Sequence, residues 1–170
     1  ALSLERHAEA QVRLGDRAAA RADLDRALPP ALGSRIPSHL VIRVHGVRVL
    51  AADSLGGALG VIRDAERWLH EAPHVCDPCS MGFRIAAATA CACAGSPSRA
   101  RAHLAEAERI SGLWQGGPWS AALWEVRAEV RRAEGRRAQA AALFFAADEE
   151  VAALARPLEE RRCLAAAAAC

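Results

Sequence analysis

Gly15-Asp16-Arg17-Ala18-Ala19-Ala20-Arg21-Ala22-Asp23-Leu24-Asp25-Arg26-Ala27-Leu28 is the stretch that decides the fold. Its skeleton, Gly-Asp followed by Ala, Leu and Ala at helical spacing, comes back along the chain. Gly95 precedes Ala100, Leu104 and Ala107, and Gly135 precedes Ala140, Phe144 and Ala147. A weaker copy keeps Ala58, Ile62 and Ala65 but has Asp53 in place of the glycine. Successive copies lie 38, 42 and 40 residues apart, counted from Ala20 to Ala58, Ala100 and Ala140. Self-similarity at that period is the signature of a helical-repeat protein. Glycine stops one helix in a left-handed residue, and the aspartate after it caps the next.

Composition agrees. Ala makes up about a quarter of the 170 residues, aromatics are 4%, and Tyr is absent. Ala and Leu fill space only where helices approach closely, which favours packed helices over sandwiches or barrels. The run Leu40-Val41-Ile42-Arg43-Val44 is β-branched, but its neighbours carry helical spacing and it reads as a buried helix. All 22 basic residues are Arg, a bias like that of GC-rich bacterial genomes. A net charge of +2 is too small to imply nucleic-acid binding, and Arg alternates with Glu and Asp as on a solvated face. There is no signal peptide and no apolar run long enough to span a bilayer. Six Cys in such a chain point to a reducing, cytoplasmic compartment with free thiols or a metal site. Both ends read as cuts in a longer protein.

The spacing predicts helical pairs over about 1–34, 39–72, 79–112 and 119–154, with a last helix over 157–170 covering the open end. Within them, the second helix is expected to end at Pro29-Pro30, and Pro29 to Pro37 to form a loop. Ser38 is expected to cap a helix from His39 to Ala52, with Gly46 letting it touch its pair near Ala58. Asp53 or Ser54 caps the helix to about His70, and Asp77-Pro78 opens the third pair. Gly112 to Pro118 reads as a loop.

Gly15, Asp16, Ala20, Leu24 and Ala27, with their counterparts at 95–107 and 135–147, resemble the tetratricopeptide repeat. Trp124 falls on that family's leading aromatic position and Gly46 on the small residue of its first helix. The resemblance covers nearly the whole chain. It departs in a spacing above the family's 34 residues, in first helices mostly lacking the aromatic, and in a displaced terminal proline. It implies an all-α, right-handed α-solenoid of about four hairpins that binds a protein or peptide segment in a concave groove. The family's groove positions fall on Glu5 and Glu9, Arg43 and Val47, Ile85 and Thr89, and Glu125 and Glu129. Those residues cannot clamp a carboxylate. They suit a segment with an apolar centre and basic flanks. Long-spaced, Ala- and Arg-rich repeats also look like the C-terminal regions of large bacterial regulators with an upstream ATPase module.

His70-x-x-x-His74-x-Cys76-x-x-Cys79 is the one dense set of metal-type ligands. Two thiolates at this spacing reach one Zn²⁺ at about 2.3 Å, and two nearby His complete a tetrahedron. Two other readings stand beside zinc. Cys79 in the first turn of a helix, its thiol acidified by the dipole, would make Cys76 and Cys79 a redox pair. Alternatively both are small residues at a loop-to-helix junction. Cys91 lies about 18 Å along the helix from Cys79, too far to share its ion. Cys163 and Cys170 are about 10 Å apart and cannot bridge each other. Trp114, Trp119 and Trp124 read as packing around a loop more readily than as a binding platform. His7, His39, His45 and His103 stand alone, and no nucleophile–base set or tuned carboxylate is evident, so no enzyme is expected. The sequence thus reads as an interaction or sensory module of a larger regulator, or as a domain sensing zinc or oxidation through its Cys/His loop.

Overall fold

The structure is a computed structural model that describes residues 1–113 and 119–170. Among them every regular element is α-helical: α1 (Leu2–Arg13), α2 (Arg17–Leu32), α3 (Pro37–Ala51), α4 (Leu55–Glu71), α5 (Asp77–Cys93), α6 (Pro97–Gly112), α7 (Ser120–Ala133), α8 (Arg137–Ala153) and α9 (Pro157–Ala168). None of these helices is long and apolar enough to cross a membrane. The chain divides into two compact units, Ala1–Ala90 and Cys91–Cys170.

The turns form as their chemistry dictates. Gly15, Gly95 and Gly135 have φ of 88°, 68° and 77°, the left-handed region where a side chain is penalised. Asp16 accepts a hydrogen bond from the Ala19 nitrogen at 3.0 Å, and Ser54 accepts one from Gly57 at 3.1 Å. Ser54, rather than Asp53, therefore caps α4. The α8–α9 turn repeats the left-handed geometry without glycine, at Ala155 with φ 52°.

In the first unit, α1 and α3 pack on α2, and α4 packs on α3. The core joins Ala8, Ala20, Leu24, Ala27, Val41, Val44 and Val47, with Leu4, Val12 and Trp68 against it. In the second unit α7, α8 and α9 pack in succession, with α6 on α7. Ala128, Ala140 and Phe144 close over Ala167, while Ala121, Ala147 and Val151 close over Cys163. The repeated small residues are the buried ones. Ala20, Ala27, Ala65, Ala100, Ala107, Ala140 and Ala147 are all wholly enclosed.

Three local expectations are corrected. Helix α2 does not stop at Pro29-Pro30 but runs to Leu32, closed by the Gly33 amide donating to the Pro29 carbonyl at 3.1 Å. Both prolines are exposed, as are Asp25 and Arg26, whose carbonyls lose their helical donors, so water can serve those carbonyls instead. The loop shrinks accordingly to 33–36, and α3 starts at Pro37, a residue ideal for a first helical position. Gly46 does permit a close approach, but to α5 rather than to the paired α4. A Cβ there would lie 2.9 Å from the Phe83 nitrogen and 3.1 Å from its Cα.

Candidate metal centre

Two helix starts converge in the first unit. His39 lies in the first turn of α3, and Cys79 in the first turn of α5. The Cys76 amide donates to the Ser38 carbonyl at 3.4 Å, tying the approach to α5 against the residue next to His39. Ser80, buried behind the turn, donates from its hydroxyl to the Asp77 carbonyl at 2.8 Å, and its amide to the Cys76 carbonyl at 3.0 Å. These bonds fix the two cysteines on one tight turn.

The result is a group of donors. His39 Nδ1 lies 3.5 Å from Cys79 Sγ. The ligand atoms of His39, Cys76 and Cys79 all lie within 4.8 Å of one another. A tetrahedral zinc with bonds of about 2.3 Å to sulfur and about 2.0 Å to nitrogen sets its S···N edge at roughly 3.5 Å. The group can hold a metal ion. His70, in the last turn of α4, and His74, between α4 and α5, are both exposed and are not part of it.

His39 stood alone in the sequence and does not stand alone here. The signal that finds it is register. Gly46 meets Phe83 and His39 meets Cys76, each pair 37 residues apart. Aligning α3 with α5 at that offset would have brought His39 to the cysteines.

Burial works against the acidified thiol that the redox alternative needs at Cys79. Burial pushes its thiol up to about 11, the neighbouring Cys76 adds to this, and Arg43 only partly opposes it. Desolvation outweighs the helix dipole at this half-buried thiol.

The groove positions are engaged within the chain. Glu5 is buried and accepts at both carboxylate oxygens, each at 3.1 Å, from Nη2 of Arg43. Glu9 pairs with Arg6 and Arg13, Glu125 with Arg162, and Glu129 with Arg132. Val47 belongs to the core, and Ile85 and Thr89 are half-buried on α5. Burial raises the Glu129 carboxyl above its usual range against the pull of Arg132.

The other candidates are dispersed. Cys163 is buried, its thiol pushed up to about 11 by burial and then by Glu125. Cys93 is exposed, Cys91 is buried, and Cys170 donates to the Ala166 carbonyl at 3.3 Å. The indole of Trp124 donates to Glu150 at 2.9 Å and lies under the Arg127 guanidinium, 4.6 Å from the ring centroid. Ser120 also donates to Glu150. Trp114 lies outside the described residues. His7 pairs with Asp23 at 2.6 Å, and His45 is buried on α3 with no partner at Nδ1.

Fold and site together define an all-helical protein with a two-thiol, one-imidazole donor group. In comparisons with known proteins, no family model, no curated protein and no solved structure matches the chain.

Proposed function

We propose that the first unit binds zinc through His39, Cys76 and Cys79, and that the chain is a helical-repeat module of a larger cytoplasmic regulator rather than an enzyme. The observation that carries the metal reading is the convergence of three borderline-to-soft donors from two separate helix starts. Two thiolates balance the charge of Zn²⁺, and the imidazole adds a neutral third ligand. Oxygen-seeking ions such as Mg²⁺ and Ca²⁺ gain nothing from this set.

The test uses untagged protein purified under reducing conditions. One equivalent of zinc is expected, and cobalt substituted for it should show thiolate-to-metal charge-transfer absorption. His39→Ala and Cys76→Ala should each abolish both signals, while His70→Ala leaves them intact. Stoichiometric zinc unaffected by His39→Ala, or no zinc in the wild type, overturns the assignment.

A second reading is a binding scaffold of the tetratricopeptide kind, favoured by the recurrence of left-handed turn glycines and enclosed alanines in both units. Because Glu5, Glu9, Glu125 and Glu129 already hold arginines, basic flanks on a partner would have to displace them. An apolar segment faces no such competition. Selection from a random peptide library should enrich apolar segments, and recovery of none would remove this reading.

A further inference from the structure

Zinc takes four ligands, and the donor group supplies three. His39, Cys76 and Cys79 are the one group of three or more thiols, imidazoles and carboxylates at ligand distance among the described residues. The remaining residues, Trp114, Gln115, Gly116, Gly117 and Pro118, include no such side chain. His74 lies two residues before Cys76 but is exposed and stands apart from the group. The group itself lies at the surface, with His39 exposed and both cysteines half-buried. Closed structural sites fill all four corners from the protein, whereas sites that act on other molecules keep three and leave one open. Three donors at a surface fit the second pattern.

We infer that the open corner is a binding position for a thiol from solution, which enters as its thiolate. The inference rests on the zinc reading above. His39 Nδ1 and Cys79 Sγ, 3.5 Å apart, match one edge of a tetrahedron, so the three donors span one face and the fourth corner points away from all of them. The two cysteine thiolates already cancel the charge of Zn²⁺. The corner therefore gains little from an anion's charge and more from a donor's softness. A thiol meets that demand better than a carboxylate or a phosphate. On entry its S–H bond breaks, a zinc–sulfur bond forms, and the proton passes to solvent with no electron exchanged. Coordination drives that deprotonation even near pH 7, where a free thiol is mostly protonated.

The experiment uses the full untagged chain, kept reduced with a phosphine so that no other thiol is present, and loaded with Co²⁺ or Zn²⁺. The probe is mercaptoethanol, a monothiol. Added to the cobalt protein, it should raise the thiolate-to-metal absorption by about half, as the sulfurs go from two to three. Added to the zinc protein in weakly buffered solution at pH 7, it should release about one proton per chain. His74→Ala should respond as the wild type does. A loaded chain whose spectrum and proton count ignore the thiol overturns this inference alone. So does a response confined to His74→Ala, which would mean that His74 fills the corner. A metal-dependent dimer that ignores the thiol overturns it too, because a second copy then supplies the fourth ligand. Loss of the metal to the thiol, with no ternary complex, is equally fatal. Wild-type chain that takes up neither metal overturns the zinc reading and this inference together.

Discussion

The two units contain the same local device and put it to different ends. In the first, Glu5 reaches Arg43 across 38 residues, beside Cys79; in the second, Glu125 reaches Arg162 across 37 residues, beside Cys163. Both thiols are pushed up to about 11, and burial is the leading cause in each. Yet among the described residues only the first unit adds an imidazole and a second cysteine within ligand distance. A thiol raised by burial beside an ion pair thus occurs in both units. Convergence of further donors is what separates a candidate site from a core residue.

The sharpest way to break that contrast is to exchange the thiols for alanine. Cys79→Ala should weaken zinc binding by at least a hundredfold, and Cys163→Ala should leave it unchanged, both read by chelator competition. Equal effects would mean that the metal lies elsewhere.

Acid should separate the units next. Burial lowers His45 to about 4, Arg48 adds to this, and Asp64 on α4 opposes it. The unfolded chain then binds a proton between about pH 4 and 6.5 that the folded chain refuses, so stability falls as pH drops through that window. The loss is at most about 3 kcal/mol. Glu129 in the second unit carries the opposite sign. Its raised carboxyl contributes stability below the ordinary carboxylate range, which is lost as pH rises through its folded value. Urea melts across pH should show a flatter profile in His45→Gln, and a change of opposite slope in Glu129→Gln.

Backbone approach gives a smaller effect. Gly46→Ala would press a methyl group onto the α5 backbone and should cost roughly 1–3 kcal/mol. Gly56→Ala, at an exposed position with nothing within 4 Å, should gain up to about 1 kcal/mol. Thermal melts of the two variants test the difference. The smallest effect concerns the turns of the second unit, where Gly135 and Ala155 share left-handed geometry. Gly135→Ala should cost about 1 kcal/mol, and Ala155→Gly should recover a similar or smaller amount. Denaturant midpoints report both.

Helix identity, the turn glycines and the enclosed seams were legible because each depends on neighbours within one or two turns. Ala20, Leu24 and Ala27 share a face by periodicity alone, and Asp16 caps by its position alone. What was not legible depends on how separate helices meet. His70 and His74 are close to Cys76 along the chain but belong to the end of α4 and the segment after it. His39 arrives from α3 through a register that the repeats imply only once α3 is set against α5. Glu5 and Arg43 read as separate groove positions for the same reason, because the ion pair between them exists only after α1 meets α3. The stop at Pro29-Pro30 failed differently: the two missing donors deprive only the carbonyls of Asp25 and Arg26, which are exposed to water, and the helix continues to Leu32.

The contact between Gly46 and Phe83 has a mechanical corollary. With no side chain between the two backbones, α3 and α5 come into direct backbone contact at this point. That contact helps hold His39, at the start of α3, near Cys79, at the start of α5, so an ion that bound there would meet a seat whose donors already stand together.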